Sequence, residues 1–335
     1  MIARANGASL AELAGTWLDW KNTAKPSPNT VRARRCDLVA IGELLLAAPV
    51  EAMDSVDRFD AVLGQLSLAD LHRDAIVAAF AVYADDHSAS SIRRVRSTWH
   101  GFCKWLIVHH EALDQNPIDY IEAPTSAKWR PKPIDRTDLA QVIAAAQTSS
   151  PTARNPWPEL ERALCAVFVG AGVRVGEAVA LRAGDVHRTP DEVAKLHVTG
   201  KGAKTRTVPI PPEVVHAVDR YLADRTERHG KVRNTDPLFV RVSGEPLTTK
   251  VIDYLVGGWF RRAGIAPPKG ALGHSLRHTY ATMLIDQGGT VPELQRLLGH
   301  SDMSTTQAYI DVAAAGIEQT ALSNPARHLL APPND

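Results

Sequence analysis

Residues 193–210 read VAKLHVTGKGAKTRTVPI, and this stretch decides the fold class. The segments 193–199 and 205–210 alternate apolar and polar side chains, which is the period of a half-buried β-strand. The glycine-containing GKGAK between them favours a tight turn. The sequence therefore predicts a β-hairpin here, with Lys201 and Lys204 in its turn.

The chain on both sides of the hairpin has helical periodicity instead. Helices are predicted before it at 8–23, 30–46, 68–83, 88–110, 137–146 and 160–170, the first with a capping box of Ser9 and Glu12. Helices are predicted after it at 213–227, 250–263, 275–287, 292–298 and 304–312. The predicted fold class is mainly α with a small β-hairpin or sheet, an α+β arrangement.

A proline-containing segment divides the chain. Residues 122–133, EAPTSAKWRPKP, carry three prolines and little periodicity, which indicates a semi-rigid linker. The predicted domains are therefore a helical one at 1–121 and a second at 134–335 that contains the hairpin. A chain of 335 residues with 44% hydrophobic residues can bury a core in each.

Composition limits the class of protein. Three cysteines, Cys36, Cys103 and Cys165, are too scattered for a disulfide framework, and no signal peptide or membrane-length apolar stretch is present. A cytoplasmic protein is expected. The net charge is only +1, so any case for nucleic-acid binding depends on where the charge lies.

Basic residues are concentrated in two of the predicted helices of the first domain. Residues 87–110 contain no acidic side chain, and residues 29–35 add further arginines. On helices such side chains can follow a phosphate backbone, although a solvated helix face is the alternative. The candidate DNA contacts are Arg32, Arg34, Arg35, Arg93, Arg94, Arg96 and Lys104.

Four short motifs of the second domain contain residues suited to catalysis. They are GAGVRVGEAVAL at 170–181, GHSLRHTYAT at 273–282, LGH at 298–300 and AYI at 308–310. Arg174 begins an apolar helix, where Glu177 is an alternative ion-pair partner three residues on. His274 and His278 are spaced for zinc, but Ser275 stands where the HExxH motif requires glutamate, so no metal is predicted.

Taken in order, these motifs resemble the catalytic set of the tyrosine recombinase, or phage integrase, family. The resemblance is close over residues 130–315 and loose over 8–120. It implies a helical SAM-like core-binding domain followed by a catalytic domain, and a tetramer that exchanges strands of double-stranded DNA through a Holliday junction. It implies no metal, no ATP and no other cofactor. The implied catalytic residues are Arg174, Lys201, His274, Arg277, His300 and Tyr309.

The residue types suit cleavage of a phosphodiester. Arg174 and Arg277 can hold the non-bridging oxygens with donors that stay charged, and His300 can add a hydrogen bond. Tyr309 can form a 3′-phosphotyrosyl ester, and His274 can accept its proton or orient the phosphate. Lys201 is the expected acid for the 5′ oxygen, with Lys204 as its competitor. Tyr280 and His278 are expected to pack in the interior.

Three other functions are compatible with parts of the pattern. A non-catalytic DNA-binding regulator would not need the tyrosine, a type IB topoisomerase would act without a paired site, and a metal-dependent hydrolase would use the histidines. Only about seven residues precede the first predicted helix, which favours a Xer-type resolvase or a short integrase without an arm-binding domain. The tail after Tyr309, with Leu322, Leu329 and Leu330, can pack on its own subunit or on a neighbour.

Overall fold

A computed structural model describes residues 9–24, 26–46, 55–125, 133–148, 156–189, 192–200, 202–266 and 272–299. The chain divides into two units, Met1–Lys128 and Trp129–Asp335. Most of the predicted linker at 122–133, the predicted helix at 304–312 and the C-terminal tail lie outside the described residues.

The described part of the first unit is helical. Its elements are α1 (Leu10–Ala24), α2 (Pro28–Leu46), α3 (Ser55–Leu63), α4 (Arg73–Asp85) and α5 (Ala89–His110), with 3-10 turns at Leu68–Leu71 and Pro117–Tyr120. The predicted capping box is present, because the Ser9 N–H donates to Glu12 Oε2 at 2.9 Å and the Glu12 N–H donates to Ser9 Oγ at 3.2 Å. This reciprocal pair satisfies two backbone donors at the start of α1.

In the core of the first unit, aromatic side chains join α1 to α5 and one carboxylate joins α2 to α5. Trp17, Trp99 and Phe102 are buried, and the rings of Trp17 and Phe102 have centroids 5.5 Å apart. Asp37 is also buried, and it accepts a hydrogen bond from the Thr98 hydroxyl at 2.8 Å and pairs with Arg94. A buried carboxylate with these partners fixes how the two helices meet.

In the second unit, helices pack against one face of a small antiparallel sheet. Its described elements are α6 (Arg136–Gln147), α7 (Pro158–Ala171), α8 (Val175–Ala180), β1 (Val186–Thr189), β2 (Glu192–Thr199), β3 (Thr205–Pro209), α9 (Pro212–His229), α10 (Thr249–Arg262), α11 (Leu272–Asp286) and α12 (Val291–Leu298). The strand order is β1-β2-β3, with Leu196 opposite both Val186 and Val208. These three side chains are buried, so one face of the sheet lies on the helices.

The predicted fold class is confirmed, with two additions. The hairpin of β2 and β3 has a third strand, β1, and the first unit has an additional helix, α3. The strand has 4 residues and the helix has 9. Such short segments contain too few repeats of the apolar pattern for either element to be predicted from the sequence. Among the described helices none has the length and apolar character needed to cross a membrane.

Candidate active site

The turn between α7 and α8 sets the position of Arg174. The α7 helix ends at Gly172, which has a φ of +59° and donates its N–H to the Phe168 carbonyl at 3.1 Å. The backbone N–H of Arg174 then donates to Glu177 Oε2 at 2.8 Å, and Nη1 of its guanidinium donates to Oε1 at 2.7 Å. The alternative ion pair with Glu177 is therefore present, and it orients Arg174 at the start of α8.

Gly172 is needed at this turn for two reasons. Its positive φ disfavours other residues, and a Cβ built there would lie 2.3 Å from Cδ1 of Tyr280. The Tyr280 ring therefore packs directly against the turn. Desolvation raises the pKa of Tyr280, so its hydroxyl stays protonated at neutral pH.

Arg277 lies on α11 and is buried, with a side chain only 3% exposed. Its Nη1 donates to the Gly172 carbonyl at 2.6 Å, and its Nη2 donates to the Leu298 carbonyl at 2.5 Å. Nη1 also lies 3.8 Å from Glu177 Oε2. One guanidinium thus joins the α7–α8 turn, α11 and the end of α12.

His274 lies one helical turn before Arg277 and is exposed. Partial desolvation and the positive charges of Arg277 and Arg174 lower its pKa. His278, one turn further along α11, is half-buried, and desolvation together with His274 and Arg277 lowers its pKa to about 4. Both imidazoles are therefore neutral near pH 7, so His274 can accept a proton.

Arg206 on β3 is a charged residue of this site that sequence reasoning missed. Its Nη1 and Nη2 donate to the two oxygens of Glu177 at 2.8 and 2.7 Å, and its Nε donates to the Leu297 carbonyl at 2.7 Å. The available signal was its register: it stands two residues before Val208, which is buried, so it is on the inward face of the strand. A charge on that face requires a partner.

Glu177 is the buried centre of the cluster. Burial alone would raise the pKa of its carboxyl, but hydrogen bonds from Arg206 and from the backbone N–H of Arg174 lower it to about 2. Glu177 is therefore ionised at neutral pH, with three guanidinium groups around it. The excess of positive charge suits the binding of an anion such as a phosphate.

Three of the predicted catalytic residues, Lys201, His300 and Tyr309, lie outside the described residues. For Lys201 and His300, the described residues that precede them in the chain border the cluster just described. Gly200 donates its N–H to the Lys204 carbonyl at 2.8 Å, which closes the hairpin turn, and a Cβ on Gly200 would lie 3.5 Å from Glu177 Oε1. Leu298, whose carbonyl accepts from Arg277, comes two residues before His300. The roles of these three residues stay predictions.

A metal site built on His274 and His278 is the alternative that concerns the described part of the chain. There, no group of three histidine, cysteine, aspartate or glutamate side chains is placed to hold a metal ion. The rings of His274 and His278 are edge to face, with centroids 6.2 Å apart.

The seven predicted DNA contacts of the first unit fall into two groups. Arg32, Arg93 and Lys104 are exposed on α2 and α5. The other four make contacts within the unit: Arg34 lies over the ring of Trp17 and Arg35 over that of Phe59, Arg94 pairs with Asp37, and Arg96 donates to the carbonyls of Ile121 and Ile118.

Comparisons with known proteins agree with this fold. Residues 132–315 match the model of the phage integrase family. The chain is 32% identical over 286 residues to the tyrosine recombinase XerD of Ralstonia nicotianae. The matched region covers 85% of this chain and 84% of that protein. A crystal structure of the XerH site-specific recombinase in a post-cleavage complex with a palindromic difH substrate has a TM-score of 0.70 at 18% identity, over 96% of this chain and 99% of that one. A lambda integrase tetramer bound to a Holliday junction has a TM-score of 0.62 at 17% identity, over 89% of this chain and 79% of that one.

Proposed function

This chain belongs to the phage integrase family of tyrosine recombinases, and from that premise we propose that it cleaves and rejoins double-stranded DNA at specific sites through a 3′-phosphotyrosyl bond to Tyr309. The observation that carries the proposal is the arrangement around Glu177. Arg174 and Arg277, which are far apart in sequence, are gathered beside one buried carboxylate, and Arg277 hydrogen-bonds to the turn that precedes Arg174.

The proposed reaction begins at the scissile phosphate. Arg174 and Arg277 hold its non-bridging oxygens, and His300 adds a hydrogen bond to them. Fixed donors that meet developing negative charge are usually the largest catalytic contribution in such a reaction. Partial desolvation, together with the charges of the same guanidinium groups, lowers the pKa of His274 and favours its neutral form, so that it can act as a base.

In the cleavage step the Tyr309 oxygen attacks phosphorus and the bond from phosphorus to the 5′ oxygen breaks. The phenolic proton passes to His274, and Lys201 gives a proton to the departing 5′ oxygen. Rejoining reverses these transfers: a 5′ hydroxyl attacks the phosphotyrosine and restores the phenol. The ester conserves the energy of the phosphodiester, so the cycle balances without ATP.

Strand exchange requires more than one protomer. We assign this chain a tetrameric synapse on two sites and a Holliday-junction intermediate. The similar fold of a lambda integrase that is a tetramer on such a junction supports this assignment. In the first unit, Arg32, Arg93 and Lys104 are the side chains that we assign to the phosphate backbone, because they are exposed on the two basic helices.

The test is the formation of a covalent adduct. A duplex selected from a randomised pool by binding to the full chain is resynthesised with a nick beside the cleavage position, so that a short fragment is lost and the adduct accumulates. The wild-type chain should form a protein–DNA adduct that survives denaturing electrophoresis. The variant Tyr309→Phe should bind the same duplex and form none, because it lacks the attacking oxygen.

Tyr280→Phe is the matched control, since its ring packs against Gly172 and the substitution removes only the hydroxyl. It should form the adduct at the wild-type rate. An adduct that persists in Tyr309→Phe and disappears in Tyr280→Phe would transfer the nucleophile to Tyr280. No adduct with the wild-type chain would contradict the recombinase assignment.

A further inference from the structure

Arg206 is more buried than Arg174 and less buried than Arg277, two of the residues that the family resemblance identified. Its side chain is 9% exposed, although it belongs to none of the four motifs. It joins β3 to Glu177 at the start of α8 and to the last turn of α12, segments that are 29 and 91 residues away in sequence. Its planar fork of donors matches these acceptors, which a lysine could not satisfy together.

The hydrogen bonds of Arg206 complete the environment of Glu177. A carboxylate offers about four acceptor sites. Oε1 of Glu177 accepts from Nη1 of Arg174 at 2.7 Å and Nη1 of Arg206 at 2.8 Å. Oε2 accepts from Nη2 of Arg206 at 2.7 Å and the backbone N–H of Arg174 at 2.8 Å. Arg206 therefore supplies two of the four donors.

The arginines on Glu177 differ in their exposure. The side chain of Arg174 is 34% exposed, whereas those of Arg206 and Arg277 are 9% and 3% exposed. Arg174 is thus the most exposed guanidinium of this cluster. If Arg206 were absent, two acceptor sites on Glu177 would lose their donors in a buried place, where an unsatisfied charge is costly. The guanidinium of Arg174, which already donates Nη1 to Oε1, would then be drawn further onto the carboxylate and away from the phosphate.

We propose that Arg206 is a positioning residue of the recombination reaction: by occupying Glu177, it leaves Arg174 oriented towards the scissile phosphate. The Leu297 carbonyl fixes Arg206 in turn, through the bond from Nε. Packing supports this placement, because a Cβ on Gly299 would lie 3.0 Å from Cδ of Arg206. The inference rests on the proposed function, since it assigns Arg174 to the phosphate.

The experiment measures adduct formation on the nicked duplex at saturating DNA, together with DNA affinity. Arg206→Lys keeps the positive charge but loses the planar guanidinium with its several N–H donors. Its rate constant should fall about 10- to 100-fold, as expected when a catalytic group is misplaced, while the dissociation constant for DNA changes by less than about threefold. A residue needed only for the fold would not produce this separation of rate from affinity.

Arg262→Lys is the matched control. Arg262 also pairs with a buried glutamate, Glu161 at 2.5 Å, and also donates to a backbone carbonyl, that of Ala145 at 2.9 Å. It belongs to the same unit and makes no bond to Glu177. Its rate constant should stay within about threefold of wild type. If the rate constant of Arg206→Lys were within about threefold of that of Arg262→Lys, the proposal would be overturned.

A second variant tests the competition for Arg174 directly. The double variant Arg206→Gln with Glu177→Gln removes both charges of the pair, which proteins tolerate better than the loss of one partner. Because a neutral glutamine attracts Arg174 less, the double variant should form the adduct faster than Arg206→Lys. An equal or slower rate in the double variant would show that Arg206 only maintains the fold, which would overturn the inference. The adduct formed by the wild-type chain would still support the proposed function. A wild-type chain without an adduct would overturn both.

Discussion

His274 shows how neighbouring charges decide the state of a single residue. It is exposed, yet partial desolvation and the charges of Arg277 and Arg174 lower its pKa below the ordinary value of 6.5. The folded chain therefore favours the neutral imidazole, which can accept the phenolic proton of Tyr309. Arg277, on the same helix, has the opposite character, because it is buried and hydrogen-bonded to two backbone carbonyls.

The pH dependence of adduct formation follows from this pKa. The rate should be flat from about pH 6.5 to about pH 8 and should fall as the pH drops through the lowered pKa of His274, because protonation removes the base. His274→Gln should lower the rate about 100-fold or more and remove this step from the profile. His187→Gln, an exposed histidine of β1, is the control and should keep the wild-type profile. A step above pH 6.5 that disappears in His274→Gln would contradict the assignment.

At the scale of elements, the helices that surround the site are set by their ends. The α7 helix ends at Gly172, whose carbonyl accepts from Arg277, and α12 ends at Gly299, whose φ is +63°. These left-handed ends turn the chain sharply, and the first of them comes directly before the segment that carries Arg174. The spacing of the helices was predictable from the sequence, whereas the contacts of their ends were not.

Gly172→Ala should destabilise the second unit by about 2–4 kcal/mol, because it adds strain at a positive φ and a Cβ only 2.3 Å from Tyr280 Cδ1. Chemical denaturation of the full chain measures this change in the free energy of unfolding. Gly176→Ala is the control: nothing lies within 4 Å of its Cβ position in α8, and alanine should be neutral or stabilise by up to about 1 kcal/mol. Equal effects of the two substitutions would contradict the close packing of the turn.

Helix α5 separates DNA contact from structural support within one basic segment. Arg96→Ala should lower the free energy of unfolding by about 1–3 kcal/mol, since Arg96 donates to the Ile121 carbonyl at 2.6 Å. Arg93→Ala should leave the free energy of unfolding within about 0.5 kcal/mol of wild type. It should weaken binding to the selected duplex and lower the slope of log binding constant against log salt concentration by about one. Titrations at several salt concentrations measure both. An unchanged slope in Arg93→Ala would remove Arg93 from the DNA interface.

For the whole molecule, two units of different composition carry different proposed tasks. The first holds the basic helices α2 and α5, and the second holds the cluster around Glu177. The net charge of the chain is only +1, so its attraction to DNA depends on local charge and not on the total.

Assembly is the prediction that belongs to the whole molecule. The full Tyr309→Phe chain, mixed with duplexes that carry two copies of the selected site, should form a tetramer, as measured by sedimentation. The same variant on single-site duplexes at low concentration should form smaller complexes. If the wild-type chain instead relaxed supercoiled DNA without a paired site and never assembled beyond a monomer, a topoisomerase would be favoured over a recombinase.

The amino-acid sequence by itself determined the fold class, most helix bounds to within a few residues, and the candidate residues Arg174, His274 and Arg277. The fold class and the helix bounds are local features, since they depend on periodicity, whereas the candidate residues follow from the resemblance of the motifs to the phage integrase family. Only the tertiary structure decided that Arg206 shares Glu177 with Arg174, and that Asp37 pairs with Arg94. Such contacts join residues far apart in the chain, and they depend on how helices and strands pack, which no local pattern encodes.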